Sequence, residues 1–191
     1  NKYFIWSSMP GRKTDINNYG GFSTDMIGMN YDYVEGSWER RQQIIQDHKD
    51  YTLGLLYFMA NDPRVPESIR SFVSCWGLPK DEYTECGNWT PQLYLRECRR
   101  MVGEYVATQA DWENKTLAPE GIAMAAYTMD SHNCQRIVVF KDGKYMVKNE
   151  GNAEIKGGLP YPISYRSLTP VRNECGNLLV TVCCSASHIA Y

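Results

Sequence analysis

The stretch TMDSHNCQR, at residues 128–136, places an acid, a hydroxyl group and a histidine at three consecutive positions. In an extended chain Asp130 and His132 point to the same side, because side chains alternate along a strand. The carboxylate could then fix the imidazole tautomer and raise its basicity, which suits a proton-transfer pair. Alternatively, Asp130 accepts the backbone N–H of His132 in an Asx turn between two strands. The local sequence alone favours the turn.

Three arginines form a second candidate group. Arg96, Arg99 and Arg100 have the spacing that places side chains on one face of a helix. Like charges at this spacing destabilise an isolated helix by about 0.2–0.5 kcal/mol per pair. Either an ion-pair network with Glu97 and Glu104 offsets the repulsion, or at least one arginine binds a carboxylate or phosphate group of a ligand.

Two further segments offer groups that bind anions. Arg166 lies inside a predicted strand, where an arginine needs a partner, either an acid such as Glu174 or an anionic ligand. The segment CCSASHIA, at residues 183–190, places hydroxyl groups and backbone N–H groups at a predicted helix start after a buried strand. Ser185 or Ser187 as an ordinary helix N-cap explains the same residues.

Helical spacing dominates the region that would carry the arginines. Residues 37–60 predict a helix with Ser37 as N-cap, and its inward positions are Ile44, His48, Tyr51, Leu55 and Phe58/Met59. A shorter helix is predicted at residues 66–76. A third is predicted from Thr90, as N-cap, to about residue 108.

After about residue 114 the pattern becomes that of strands. Asp142-Gly143, between two strand-like runs at residues 135–148, predicts a tight hairpin with positive φ at both turn positions. This register places Phe140 opposite Tyr145 and Val138 opposite Val147. Further strands are predicted at residues 163–168 and, buried on both faces, at residues 177–182. Since the helix predicted after the last strand is not completed, we expect a fragment of a longer protein.

Composition and motifs exclude several classes of function. A net charge of -2 over 191 residues indicates neither a nucleic-acid nor an anionic membrane partner, and no apolar run approaches a membrane span. The seven cysteines have no CxxC pair and no spacing suited to zinc, so no metal site is predicted. GxGxxG, GxxxxGK[ST] and GxSxG are absent, so the chain carries no complete nucleotide site. We expect a soluble protein of the cytoplasm or periplasm, of undetermined oligomeric state.

Seven segments, taken in order, resemble a known family. They are RKTDINNYGGFSTDMIGMNYDY, YTLGLLYFMANDPRVPESIR, WGLPKDEY, QLYLRECRRMVGEYV, YTMDSHNCQR, PYPISYRSLTP and NLLVTVCCSASHIAY. Together they resemble the bacterial FAD-dependent oxidoreductase family of glutathione-reductase-like flavoproteins. In that family a GxGxxG segment precedes this region and a helix against the flavin follows it.

The resemblance implies an α+β fold and a division of the chain. A helical segment at about residues 37–108 would pack with a mainly antiparallel sheet, plus one returning strand of an FAD-binding domain. Residues 1–170 would then be the substrate-side, or cap, region. Residues 171–191 would begin the return into the FAD-binding domain.

The same resemblance implies roles for the candidate residues. His132, supported by Asp130, would be the acid/base at the substrate side of the flavin, where Arg96 and Arg100 would hold a small-molecule substrate. Arg166, Ser185, Ser187 and His188 would lie near the cofactor. FAD is the implied cofactor of the full-length protein, while the fragment alone is expected to be inactive and to lack it.

Two functions of other classes remain open. With 14 tyrosines and five tryptophans, the chain could present a sugar-stacking surface as a carbohydrate-binding or interaction module. A polysaccharide lyase would instead need a tyrosine or histidine base beside a charge-neutralising group. A carbohydrate-related substrate is compatible with either.

Overall fold

The computed structural model describes residues 3–19, 21–93, 99–156, 159–181 and 184–187. Its helices and strands, in chain order, are β1 (Phe4–Met9), β2 (Lys13–Asn18), α1 (Trp38–Asn61), α2 (Glu67–Val73), α3 (Gln109–Trp112), β3 (Gly121–Ala125), β4 (Gln135–Lys141), β5 (Lys144–Glu150) and β6 (Tyr161–Ser164). The described sheets are antiparallel pairs of β1 with β2, β3 with β6, and β4 with β5. The predicted α+β class is confirmed.

The chain divides into two compact units. Unit 1 comprises Asn1–Tyr94 and Gln135–Glu150, and unit 2 comprises Leu95–Cys134 and Gly151–Tyr191. Each unit has a hydrophobic cluster of its own. In unit 1 the cluster centres on Phe4, Met59 and Val73, and in unit 2 on Trp112, Met129 and Tyr161.

The long helix α1 forms where the sequence predicts it. The Ser37 hydroxyl accepts the backbone N–H of Arg40 at 3.3 Å, which satisfies one of the free amides of the first turn. The helix ends at Asn61, two residues before Pro63, because proline disfavours a helical residue before it. The inward face is the predicted one: Ile44 and Met59 are buried, and His48, Tyr51 and Leu55 are half-buried.

The β4–β5 hairpin also confirms its prediction. Asp142 and Gly143 have φ values of 52° and 75°, and Phe140 pairs with Tyr145 as expected. Alternation along both strands places Arg136, Val138 and Phe140 on one face with Tyr145, Val147 and Asn149. Arg136 and Asn149 are half-buried at one end of this face, while the four apolar residues are exposed.

The predicted third helix is wrong over residues 99–108, which are not helical. The backbone N–H groups of Glu104 and Tyr105 donate to the carbonyls of Thr169 and Arg166, each at 3.2 Å, instead of to their own preceding turn. A Cβ on Gly103 would lie 2.7 Å from the Thr169 carbonyl oxygen, so the two segments approach closely because this residue is glycine. Non-local pairing has therefore overridden the helical periodicity. Residues 94–98 lie outside the described part of the chain.

Two strand predictions also need correction. Residues 177–181 of the predicted strand 177–182 form no strand, and Leu178 and Leu179 are 51% and 55% exposed. The apolar run therefore does not mark a buried strand in these residues. The predicted strand 163–168 is wrong after Ser164, because the Ser164 hydroxyl accepts the N–H of Arg166 and starts a short 3-10 turn at Tyr165–Ser167.

Candidate functional site

The segment that carries Asp130 and His132 belongs to unit 2, where Met129 forms an isolated antiparallel bridge with Ile155. Met129 is 1% exposed, and it exchanges two backbone hydrogen bonds with Ile155, at 3.0 and 2.8 Å. The Ser131 hydroxyl accepts the N–H of Ala153 at 2.6 Å and donates to the carbonyl of the same residue at 3.2 Å. Hydrogen bonds thus join Met129 and Ser131 to residues 153–155.

Residues 130–134 have no regular secondary structure, so a common side for Asp130 and His132 stays a prediction. Both side chains are half-buried. A carboxylate–imidazole pair would require such a common side. A proton-transfer contact between the two side chains stays a prediction.

The structure brings Arg100, Ser185 and Ser187 together. Arg100 is half-buried, and its Nη1 donates to the Ser187 carbonyl at 3.2 Å. Ser185 is 1% exposed, and its Oγ accepts the N–H of Gly103 at 3.0 Å. The Ser187 N–H donates to the carbonyl of Ala107 at 2.8 Å. The end of the described chain is therefore bound to the segment that follows Arg100.

Two of the predicted site residues, Arg96 and His188, lie outside the described residues. The helical face that was predicted to unite the arginines is not formed at residues 99–108.

Arg166 is exposed at the 3-10 turn after β6 and pairs with an acid. Its Nε donates to Oε1 of Glu120 at 2.9 Å, and Nη2 contacts the same oxygen. The hydrogen bond from Arg166 holds the pKa of the Glu120 carboxyl below its usual value. Arg166 thus forms its ion pair with Glu120, and not with Glu174, the acid that the sequence analysis named as an example. An exposed pair of this kind contributes little to stability.

Unit 1 contains a polar cluster that the sequence reasoning missed. Arg136 donates from Nε to Asn149 Oδ1 and from Nη1 to Tyr51 Oη, each at 3.0 Å. The Tyr51 hydroxyl in turn donates to the Ser23 carbonyl at 2.8 Å. The Nη2 atom of Arg136 is buried and has no hydrogen-bond partner. The sequence did contain a hint of this cluster, because His48 and Tyr51 place polar atoms on the predicted inward face of α1.

Unit 1 also contains an aromatic cleft of about 430 Å³. Its lining comprises Tyr3, Phe4, Trp6, Met59, Ser68, Ile69, Phe72 and Val73. Trp6 packs edge-on against Phe72, with ring centroids 5.1 Å apart, and stacks on Trp76 at 6.1 Å. The residues that line the cleft carry no charge.

The described part of the chain contains neither a metal-ligand cluster nor a helix that could span a membrane. No group of three or more potential histidine, cysteine or carboxylate ligands is found there. None of the helices described is both long enough and apolar enough to cross a bilayer.

Comparison with known proteins gives one match. Neither the curated proteins nor the solved structures include a match to this chain. The family model described as FAD dependent oxidoreductase matches residues 1–191, which is the whole sequence. The chain therefore belongs to the FAD dependent oxidoreductase family.

Proposed function

We propose that this chain is the substrate-side part of an FAD-dependent oxidoreductase whose full-length form transfers a hydride between a small-molecule substrate and the flavin. The match to the family over the whole chain carries this proposal. The glutathione-reductase-like type, a bacterial source and the division at residue 170 belong to the same proposal. On its own the fragment would be inactive.

The described residues do not fit a complete dinucleotide site. The three sheets are antiparallel pairs, whereas dinucleotides bind at the carboxyl ends of parallel strands with a glycine-rich turn. The sequence also has no GxGxxG. We therefore propose that other parts of the full-length protein hold most of the FAD, and that this chain adds contacts near the flavin.

The proton-transfer role falls to His132, which takes a proton from the substrate or returns one to it. Asp130, predicted to lie on the same side of the chain, orients the imidazole. The hydrogen bonds of Met129 and Ser131 with Ile155 and Ala153 hold the chain on either side of Asp130. The flavin, when bound in the full-length protein, supplies the hydride acceptor or donor.

Arg100 is proposed to hold the substrate, together with Arg96. The Arg100 guanidinium is half-buried, so it binds an anionic group more strongly than an exposed arginine does. Arg166, Ser185, Ser187 and His188 are proposed to lie near the cofactor. Because Ser185 Oγ accepts the N–H of Gly103, its own hydroxyl proton can be donated to the cofactor.

Replacement of His132 tests the catalytic part of the proposal. In the full-length enzyme, we expect His132→Ala to slow anaerobic reduction of the flavin by about 10²–10⁴-fold, the usual contribution of an acid/base group. Substrates would be screened by loss of the absorbance of oxidised flavin. Thermal unfolding should change little.

The matched control is His48→Ala, which removes a histidine from unit 1. This variant should retain the rate of flavin reduction. If His132→Ala lost stability in proportion to activity, the segment would be a structural turn between strands and the catalytic role would be rejected.

A second candidate function, carbohydrate binding, is favoured by the aromatic cleft of unit 1. Uncharged aromatic walls suit the C–H faces of a neutral sugar. A saturable change of tryptophan fluorescence on titration with neutral oligosaccharides would support this function, and loss of binding in Trp6→Ala, which alters the lining of the cleft, would locate the site. Absence of any change would exclude it.

A further inference from the structure

Arg136 has an unusual environment for a cation. Three of its atoms can donate hydrogen bonds, and two of them do so to neutral groups, the Asn149 amide oxygen and the Tyr51 hydroxyl. The third, Nη2, is buried without a partner. Among the described residues, no carboxylate forms an ion pair with this guanidinium.

A buried donor on a charged group is seldom left without an acceptor, because the group has lost its hydration and gained nothing in exchange. Protein side chains already occupy Nε and one proton of Nη1. One proton on Nη1 and the two on Nη2 remain for another acceptor. If Tyr51 accepts the Nη1 proton on the side of Cδ, the other Nη1 proton and one Nη2 proton form an edge of parallel N–H groups. That edge matches the two oxygens of a carboxylate.

The contacts around Arg136 fix its orientation. Tyr51 donates its own proton to the Ser23 carbonyl, so its oxygen is free to accept from Arg136 Nη1. Ser23 is itself 1% exposed, and its hydroxyl donates to Asn18 at 2.9 Å. The guanidinium is therefore held by a series of hydrogen bonds that runs from Tyr51 through Ser23 to Asn18.

Charge selects the class of ligand. His48 lies one turn before Tyr51 on the same face of α1, is half-buried, and has its Nε2 at 3.1 Å from the Asn30 amide nitrogen. Burial lowers the pKa of His48, so near neutral pH its imidazole adds no second positive charge. One unpaired cation matches a monoanion better than a phosphate dianion.

We propose that Arg136, held in place by Tyr51 and Asn149, forms a binding site in unit 1 for the carboxylate of a small organic acid. The carboxylate oxygens accept from Nη1 and Nη2 of Arg136. Since Nη2 is buried, binding involves a local rearrangement of the side chains that cover it. The site does not depend on the flavin or on the proton-transfer residues of unit 2.

Titration of the flavin-free protein with acetate, lactate, succinate and benzoate tests this proposal. Acetamide serves as the neutral control and inorganic phosphate as the dianion. We expect saturable shifts of the Arg136 Nε–H resonance with at least one carboxylate and none with acetamide. By calorimetry, Arg136→Gln should weaken binding by about 10- to 100-fold, as expected for loss of a charged hydrogen-bonding group.

Two further variants separate binding from folding. Arg136→Lys retains the charge but lacks the paired N–H groups, so it should also bind more weakly. Arg64→Gln, at an exposed arginine paired with Asp62, should leave binding unchanged. The proposal is overturned if no carboxylate shifts the Arg136 resonance of the wild-type protein, if acetamide shifts it equally, or if only phosphate binds. Because the measurement uses no flavin, either result leaves the proposed oxidoreductase function untouched.

Discussion

His132 can be singled out from its neighbours in the sequence, whereas the environment of His48 is visible only in the structure. His132 stands two positions after an acid, and this pattern is visible in the sequence. His48 lies on the inward face of α1, where its neighbours come from distant parts of the chain. Burial lowers its pKa, while the charges of Asp25 and Asp47 act in the opposite direction. These surroundings give His48 a measurable effect on stability.

Protonation of His48 opposes folding, because its pKa is lower in the folded than in the unfolded state. Its contribution to stability is therefore present above the ordinary value of 6.5 and is lost as the pH falls through the lowered folded value. Urea unfolding at pH 7 and pH 5 should show a smaller fall in stability for His48→Asn than for the wild type. An identical fall in both proteins would contradict this prediction.

Gly103 shows how one residue determines a backbone contact. An added Cβ would lie 2.7 Å from the Thr169 carbonyl oxygen and 2.8 Å from Ser185 Cβ. Gly103→Ala should therefore lower the free energy of unfolding by about 1–3 kcal/mol through overpacking.

The control for this substitution is Gly54→Ala, inside α1, where an added Cβ meets no atom within 4 Å. Alanine is the better helix former, so this variant should gain about 0.5–1 kcal/mol. Thermal or urea unfolding of both variants measures the contrast. If Gly103→Ala were as stable as the wild type, the close approach to Thr169 would be wrong.

At the scale of elements, the short helix α3 depends on one buried acid. Asp111 is 2% exposed and accepts the backbone N–H of Thr108 at 2.7 Å and the hydroxyl of Tyr105 at 2.5 Å. Burial and this hydrogen bond raise the pKa of Tyr105 to about 12. The Asp111 carboxylate thus caps α3 and also accepts the hydrogen bond of the Tyr105 hydroxyl.

Asp111→Ala should destabilise unit 2 by about 2 kcal/mol, because it removes a helix cap and leaves two donors without an acceptor. Glu113→Ala, at an exposed position directly after α3, should change stability by less than about 0.5 kcal/mol. Urea unfolding compares the two variants. Equal effects would show that the hydrogen bonds of Asp111 contribute no special stability.

The elements that the sequence predicts correctly are those with local signals. Ser37 and Pro63 bound α1, and Asp142-Gly143 specifies the hairpin, each through conformational preferences of a few neighbouring residues. Residues 99–108 carry a helical pattern, but their backbone partners lie at Arg166, Thr169 and Ser185. Such distant partners leave no trace in local periodicity.

The same difference applies to the candidate site. The spacing of Asp130 and His132 is visible within one segment of the sequence, and their common side stays a prediction. The contact of Arg136 with Tyr51 joins residues 85 positions apart. Only the inward placement of a tyrosine and a histidine on α1 indicated that a polar partner was needed there.

At the scale of the whole molecule, unit 2 leaves many large apolar side chains exposed. Leu117 and Leu159 are 80% and 73% exposed, and Ile122, Met124 and Tyr127 are also exposed. A contiguous exposed apolar surface is typical of regions that contact another protein surface. These side chains are available for such a contact in the larger flavoprotein that we propose.

Flavin binding by the full-length protein distinguishes the proposed oxidoreductase function from the alternatives. The full-length protein should purify with the visible absorbance of oxidised flavin and release FAD, in an amount equal to the protein, on denaturation. The isolated 191-residue chain should bind added FAD weakly or not at all. A colourless full-length protein that takes up no added FAD would contradict the account.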